Sequence, residues 1–223
     1  MDDIPVEKII RCRRRTIALV ITPDGQLVVR APLKAPAARI DEFIREKRSW
    51  IKKKIGEIQQ RPAATVHTYE EGDIFFFLGR AYPLQIVDSP DAGIERTDRL
   101  CVSATVLPDI RNELTCWYRK EARTEIHARC MWFSMMTGYT PRSIRITNAC
   151  QRWGSCSHKG NLNFSWRLVQ APMKIVDYVI LHELVHLRQP DHSKKFWSKV
   201  KEIMPDYERR REWLRENERL LRI

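Results

Sequence analysis

The sequence predicts an α+β protein with its strands gathered in the first half and helices dominating the second. Three observations carry this. Short runs of β-branched and aromatic residues, punctuated by Gly, Pro and Asp, recur between residues 6 and 106. Residues 109–136 then place Leu114, Trp117, Tyr118, Ala122, Ile126, Met131 and Trp132 at helical spacing. Finally, 43% hydrophobic residues, with seven Trp and seven Phe among 223, supply a core and exclude extended disorder. The change in pattern divides the chain into a β-rich module with one amphipathic helix over 1–108 and a second domain over 109–223.

Residues 6–31 alternate loosely about Pro23, Asp24 and Gly25, a turn signal that predicts a β-hairpin between 16–21 and 26–30. Pro32 and Pro36 end it. From 37 to 58, Ile40, Phe43, Ile44, Trp50, Ile51, Ile55 and Ile58 recur at helical spacing with Lys and Arg between them, which predicts one helix with a basic face. Residues 61–66 read as a linker, and 74–78, 82–87 and 100–106 as short strands separated by Gly79 and by Ser89, Pro90 and Asp91. Gly138 stops the long helix. Two strands follow, 144–147 and 162–169, joined by the loop 148–161. Pro172 suits the first turn of the next helix, which runs to about 188 because Pro190 forbids its continuation. A last helical region, 193–223, is broken near Met204, Pro205 and Asp206.

Forty Lys and Arg against 28 Asp and Glu give a net charge of +12, concentrated in 11–15, 45–54 and 209–222. This balance keeps nucleic acid, nucleotides and anionic lipid open as partners. Glu208 with Arg211, Glu212 with Arg215 and Glu218 with Arg222 are spaced for pairing, so much of the last stretch is a solvated helix face. Apolar runs such as 17–21 and 74–78 fall far short of the roughly 20 residues a membrane helix needs. The first ten residues carry two Asp, a Glu and a Lys, unlike a secretory signal. A soluble, cytoplasmic protein with no membrane partner is expected. Its six Cys form no C-x-x-C pair, so reduced and mostly buried thiols are expected.

His182, Glu183, Leu184, Val185 and His186 form an H-E-x-x-H pattern inside a predicted helix. Residues four apart share one helix face, so both imidazoles can reach one ion, and Glu183 is placed to take a proton from a water on that ion. Neutral imidazole suits zinc, and a catalytic site needs a third protein ligand from another direction. His192 answers this need, because Pro190 breaks the helix and lets the chain turn back. Glu202, on the following helix, is the competitor. Asp191 reads as a turn or cap residue before Ser193. Upstream, Gly154 would allow a tight bend, and Arg152 or His158 would point toward substrate or a developing oxyanion. Strand 162–168 or its neighbour would offer the edge on which a peptide adds. Cys150, Cys156 and His158 form a minor alternative metal set.

These residues also resemble a known family. His182 through Leu187, then Asp191, His192 and Ser193, then Phe196 and Trp197, resemble the YgjP-like metallopeptidases, related to the WLM and SprT-like zincins. Arg152, Trp153, Gly154, Ser155, Cys156 and Ser157, then Asn161 to Phe164, Ala171 and Pro172, and Asp177 to Val179 follow the family pattern in the same order. One departure is Asp191, where the family usually has Asn. The resemblance implies a zincin-like metallopeptidase domain, in which the H-E-x-x-H helix packs on a small β-sheet. It also implies one zinc ion held by His182, His186 and His192, with Glu183 as general base.

The function expected is therefore a zinc-dependent hydrolase acting on peptide or protein substrates, with no obligate partner evident. The alternatives are hydrolysis of nucleotides or other phosphorylated substrates, for which no phosphate-cradling Gly-rich loop is present, and a nucleic-acid-associated module with a structural zinc.

Overall fold

Leu27, Val29 and Ala31 are buried on alternate positions of one strand, β3 (Leu27–Pro32), and that strand organises the first compact unit, Met1–Ala63. In this computed structural model, which describes residues 4–22, 25–59, 67–89 and 93–221, β3 lies between β1 (Val6–Cys12), parallel to it, and β2 (Ala18–Ile21), antiparallel. The expected hairpin is thus present as a strand pair, while Pro23 and Asp24 of its turn and the linker 61–66 lie outside the described residues. The single amphipathic helix expected over 37–58 is two: α1 (Ala37–Glu46) and α2 (Arg48–Gln59). Lys47 separates them, with φ −97° and ψ 9°, outside the helical well. The break lets Ile40 from one helix and Ile51 from the other reach the core of Leu27, Val29 and Ala31.

The second unit, Ala64–Ile223, holds two further sheets. In the first, β4 (Ile74–Phe77), β5 (Arg80–Val87), β7 (Leu100–Ser103) and β6 (Ile94–Arg96) lie side by side in that order. The edge strand β6 is three residues long, too short to carry a local signal of its own. Residues expected to extend the strand at 100–106 turn instead into a 3-10 segment at Ala104–Asp109, with the Ser103 hydroxyl accepting from the Thr105 N–H. The long helix α3 (Ile110–Thr137) ends where expected, at Gly138 with φ 70°.

The compact units part at Ala63 and Ala64, not at the expected 108/109. Burial explains the difference. Phe75, Phe77, Leu84, Leu100 and Val102 from the four-stranded sheet share one core with Leu114, Tyr118 and Ile126 of α3 and with the helix that carries His182. Tyr118, fully buried, donates its hydroxyl to the Phe76 carbonyl at 2.7 Å.

The remaining sheet has β10 (Asn161–Ser165) at its centre, parallel to β8 (Ser143–Thr147) and antiparallel to β9 (Gly154–Cys156). Residues 166–169, expected to continue the strand, fall instead in a 3-10 segment, Trp166–Gln170, that buries Trp166, Leu168 and Val169. Three helices follow: α4 (Met173–Val185), α5 (Lys194–Ile203) and α6 (Tyr207–Asn217), the last two parted near Pro205 as expected. No described helix is long and apolar enough to cross a membrane.

Candidate metal centre

Helix α4 is apolar on nearly every side, with Ile175, Val176, Val179, Ile180, Leu181, Leu184 and Val185 all buried, so it is embedded rather than laid on a surface. Its orientation is fixed by a two-pronged ion pair. Arg129 on α3 donates from Nε to Asp177 Oδ1 at 2.7 Å and from Nη2 to Oδ2 at 2.8 Å. At its start, Gly79 in the β4–β5 turn lies against Pro172, and Leu78 and Gly79 donate their N–H groups to the carbonyls of Val169 and Gln170.

At the other end of α4, His182 and His186 sit one turn apart with Nε2 atoms 3.2 Å from each other. His192 completes a triangle, its Nε2 3.0 Å from that of His182 and 3.2 Å from that of His186. The turn that delivers it is local. Gln189 N–H bonds to the Val185 carbonyl at 3.0 Å, Pro190 follows, and the Ser193 N–H donates to Asp191 Oδ1 at 3.2 Å. Asp191 therefore acts as the turn residue its position foretold.

The His186 Nδ1–H donates to the Gln189 carbonyl at 2.9 Å, since a carbonyl can only accept, and this leaves Nε2 with its lone pair toward the triangle. Burial, reinforced by the neighbouring His186 and His192 and by Arg211, lowers the pKa of His182 to about 3 and keeps it neutral. Burial also lowers that of His186. Phe196 on α5 lies beneath all three rings, its centroid 4.8, 4.5 and 4.9 Å from those of His182, His186 and His192.

Three imidazole nitrogens converging this closely fit a cation. Tetrahedral zinc with Zn–N of about 2.0–2.1 Å holds its ligand nitrogens about 3.3 Å apart, close to the separations seen. Among the described residues, this is the one group of three His, Cys, Asp or Glu ligand atoms that come together. Glu202 is elsewhere, exposed and ion-paired to Lys199 at 2.8 Å. The alternative set of Cys150, Cys156 and His158 does not assemble.

Glu183 is 6% exposed, an unusual burial for a carboxylate. It packs against β9, where the Cys156 N–H donates to it. Burial pushes its pKa up to about 7, against the opposing pull of Arg152 and of the Cys156 N–H. A carboxylate so poised can both take and return a proton near neutral pH.

Gly154, expected to provide a bend, lies within strand β9, and its missing side chain is what makes room for Glu183. The edge nearest α4 is β9 and not 162–168, because β10 is paired on both sides. Arg152 is exposed and lines a cleft of about 240 Å³ together with Gly154, Ser155 and Asn163. His158 is exposed in the β9–β10 turn, outside the imidazole cluster. Sequence reasoning missed the Gln189 carbonyl and the Phe196 floor. The first was signalled by the helix break at Pro190, the second only by Phe196 falling in the first turn after that break.

No curated protein matches the chain. Among solved structures it is similar to the crystal structure of the metallopeptidase zymogen of Pyrococcus abyssi abylysin, with 24% identity over 39% of this chain and 86% of that one, at a TM-score of 0.35. A family model described as YgjP-like, metallopeptidase domain, matches residues 15–217, nearly the whole chain. With that match, the chain belongs to the YgjP-like metallopeptidase domain family, and it is a metal-dependent peptidase.

Proposed function

We propose that the chain is a zinc peptidase in which His182, His186 and His192 hold one ion and Glu183 is the general base. The observation that carries this reading is the triangle of Nε2 atoms, 3.0–3.2 Å on each side, beside a buried carboxylate. When bound, zinc supplies Lewis acidity to the scissile carbonyl and brings the pKa of its water to about 7. The chain's own residues do the rest. Glu183 accepts the proton of the attacking water on its carboxylate and delivers it to the leaving amine nitrogen, a transfer suited to a group with a pKa of about 7. The Gln189 carbonyl holds His186 in the ligating tautomer. The unpaired edge of β9 receives an extended peptide by main-chain hydrogen bonds.

Arg152, close enough to act on Glu183, is a substrate-side group in this reading. His158, exposed on its turn, stays available to substrate only at the periphery. No observation favours a nucleotide or nucleic-acid substrate, and part of the basic surface is already committed: Arg39 pairs with Glu42, Lys54 with Glu57 and Arg215 with Glu212.

Elemental analysis of purified protein tests the ligand set. Near-stoichiometric zinc is expected in wild type and in Glu202→Gln, and its loss in His192→Ala. Zinc kept by His192→Ala and lost from Glu202→Gln would overturn the assignment. Glu183→Gln is expected to keep metal and lose peptide hydrolysis.

A further inference from the structure

The outer face of the β8–β10–β9 sheet carries a chemistry of its own. Ser155 stands opposite Asn163 in one strand pair, and Thr147 opposite Ser165 in the other. With the two-residue period of a strand, these four side chains share the face turned away from buried Leu162 and Phe164. They line the cleft of about 240 Å³ together with Arg152, and no carboxylate lines it.

Some of the polar groups of the cleft are already paired and others are free. Ser165 Oγ–H is spent on the Ala149 carbonyl at 2.7 Å and Thr147 Oγ1–H on the Phe164 carbonyl at 3.2 Å. Asn163 Nδ2 uses one proton on Ser155 Oγ at 3.3 Å. Among the described residues, the second amide proton of Asn163 and the hydroxyl proton of Ser155 have no acceptor. Arg152 makes no hydrogen bond or ion pair there either, and only its field reaches Glu183. Free donors, one of them on a cation, with no acid among them, are complementary to a carboxylate.

Position makes this chemistry relevant to catalysis. Gly154, which lines the cleft, abuts Glu183 with its α-carbon. A peptide extended along the free edge of β9 presents alternate side chains to the Ser155 face.

We propose that this cleft is a specificity pocket that selects a Glu or Asp side chain of the peptide substrate, with Arg152 as the charge that recognises it. The proposal rests on the peptidase reading above. A chain with a net charge of +12 also draws acidic peptides to its surface, but the pocket fixes the acid at one position relative to the cleaved bond.

The test uses the zinc-loaded full-length protein and internally quenched peptides that differ only in carrying Glu, Gln or Lys at each position flanking the cleaved bond. At one position, kcat/KM is expected to be about tenfold higher for Glu than for Gln, chiefly through KM. Arg152→Gln is expected to bring the ratio of kcat/KM for the Glu and Gln peptides to about one, and Arg152→Glu to favour Lys. Asn163→Asp, which sets an acid among the donors, is expected to act in the same direction as Arg152→Gln.

Equal rates for Glu and Gln peptides at every position would overturn the pocket and leave the peptidase reading standing. So would an Arg152→Gln variant that slows all peptides alike. If zinc-loaded wild type cleaves neither these peptides nor unfolded casein, the peptidase reading fails. The pocket is then judged by fluorescence polarisation with labelled Glu and Gln peptides: tighter binding of the Glu peptide that Arg152→Gln abolishes supports it, and equal binding overturns it.

Discussion

Gly154 and Glu183 share one space: a Cβ added to the glycine would lie 2.6 Å from both Cγ and Oε1 of the glutamate and 2.9 Å from Cδ. No real Cβ tolerates such contacts, and the atoms it would meet are those of the carboxylate proposed to handle the proton. Gly154→Ala is therefore expected to displace Glu183 while leaving the three imidazoles in place. Peptide hydrolysis should fall on the order of a hundredfold, the scale of an ångström-sized misplacement, with zinc content unchanged. Full activity in Gly154→Ala would mean that Glu183 sits elsewhere when the enzyme works.

The raised pKa of Glu183 links stability to pH in the metal-free protein. Folding holds its proton to about 7, whereas the ordinary value is 4.5. The folded state therefore binds more protons between these values, and the contribution to stability is complete below about pH 4.5. It is lost as pH rises toward 7 and changes no further above it. Glu183→Gln removes this loss. In chelator-treated protein the variant should be more stable than wild type at pH 8, by an amount on the order of 3 kcal/mol, and should lose that advantage near pH 4.5. Urea unfolding at both pH values measures it, and parallel behaviour of the two proteins would refute the linkage.

Gly79 holds the start of α4. Its φ of +80° already disfavours a side chain, and an added Cβ would meet Pro172 Cα and Cγ at 2.8 Å, with backbone on one side of the contact. Gly79→Ala should destabilise the second unit by about 2–4 kcal/mol through strain and overpacking together. A lowered thermal midpoint is the readout. An unchanged midpoint would show that the β4–β5 turn is free to move away from α4.

Local pattern decided what was legible in the sequence. The H-E-x-x-H pair and Glu183 could be read because helix geometry alone fixes which residues share a face. His192 could be brought near because Pro190 ends the helix regardless of what surrounds it. Gly138, Pro172 and Pro205 marked boundaries for the same reason, since each acts through its own backbone. Strand ends were less legible. Residues 104–106 and 166–169 are as apolar as a strand, yet the Ser103 cap and the burial of Trp166 turn them into 3-10 segments.

From its sequence alone the chain names its candidate ligating and proton-handling groups, because their spacing encodes a face and a turn. It took the tertiary structure to bring the His192 imidazole, and not Glu202, against His182 and His186, to leave β9 rather than β10 as the open edge beside α4, and to pair Gly154 with a buried Glu183. It also joined the four-stranded sheet to the core behind α4, where a boundary at 108/109 was expected. The physical reason is common to all of these. Close approach, edge exposure and shared burial belong to pairs of residues distant in the chain, and neither member of such a pair carries a local signal of its partner.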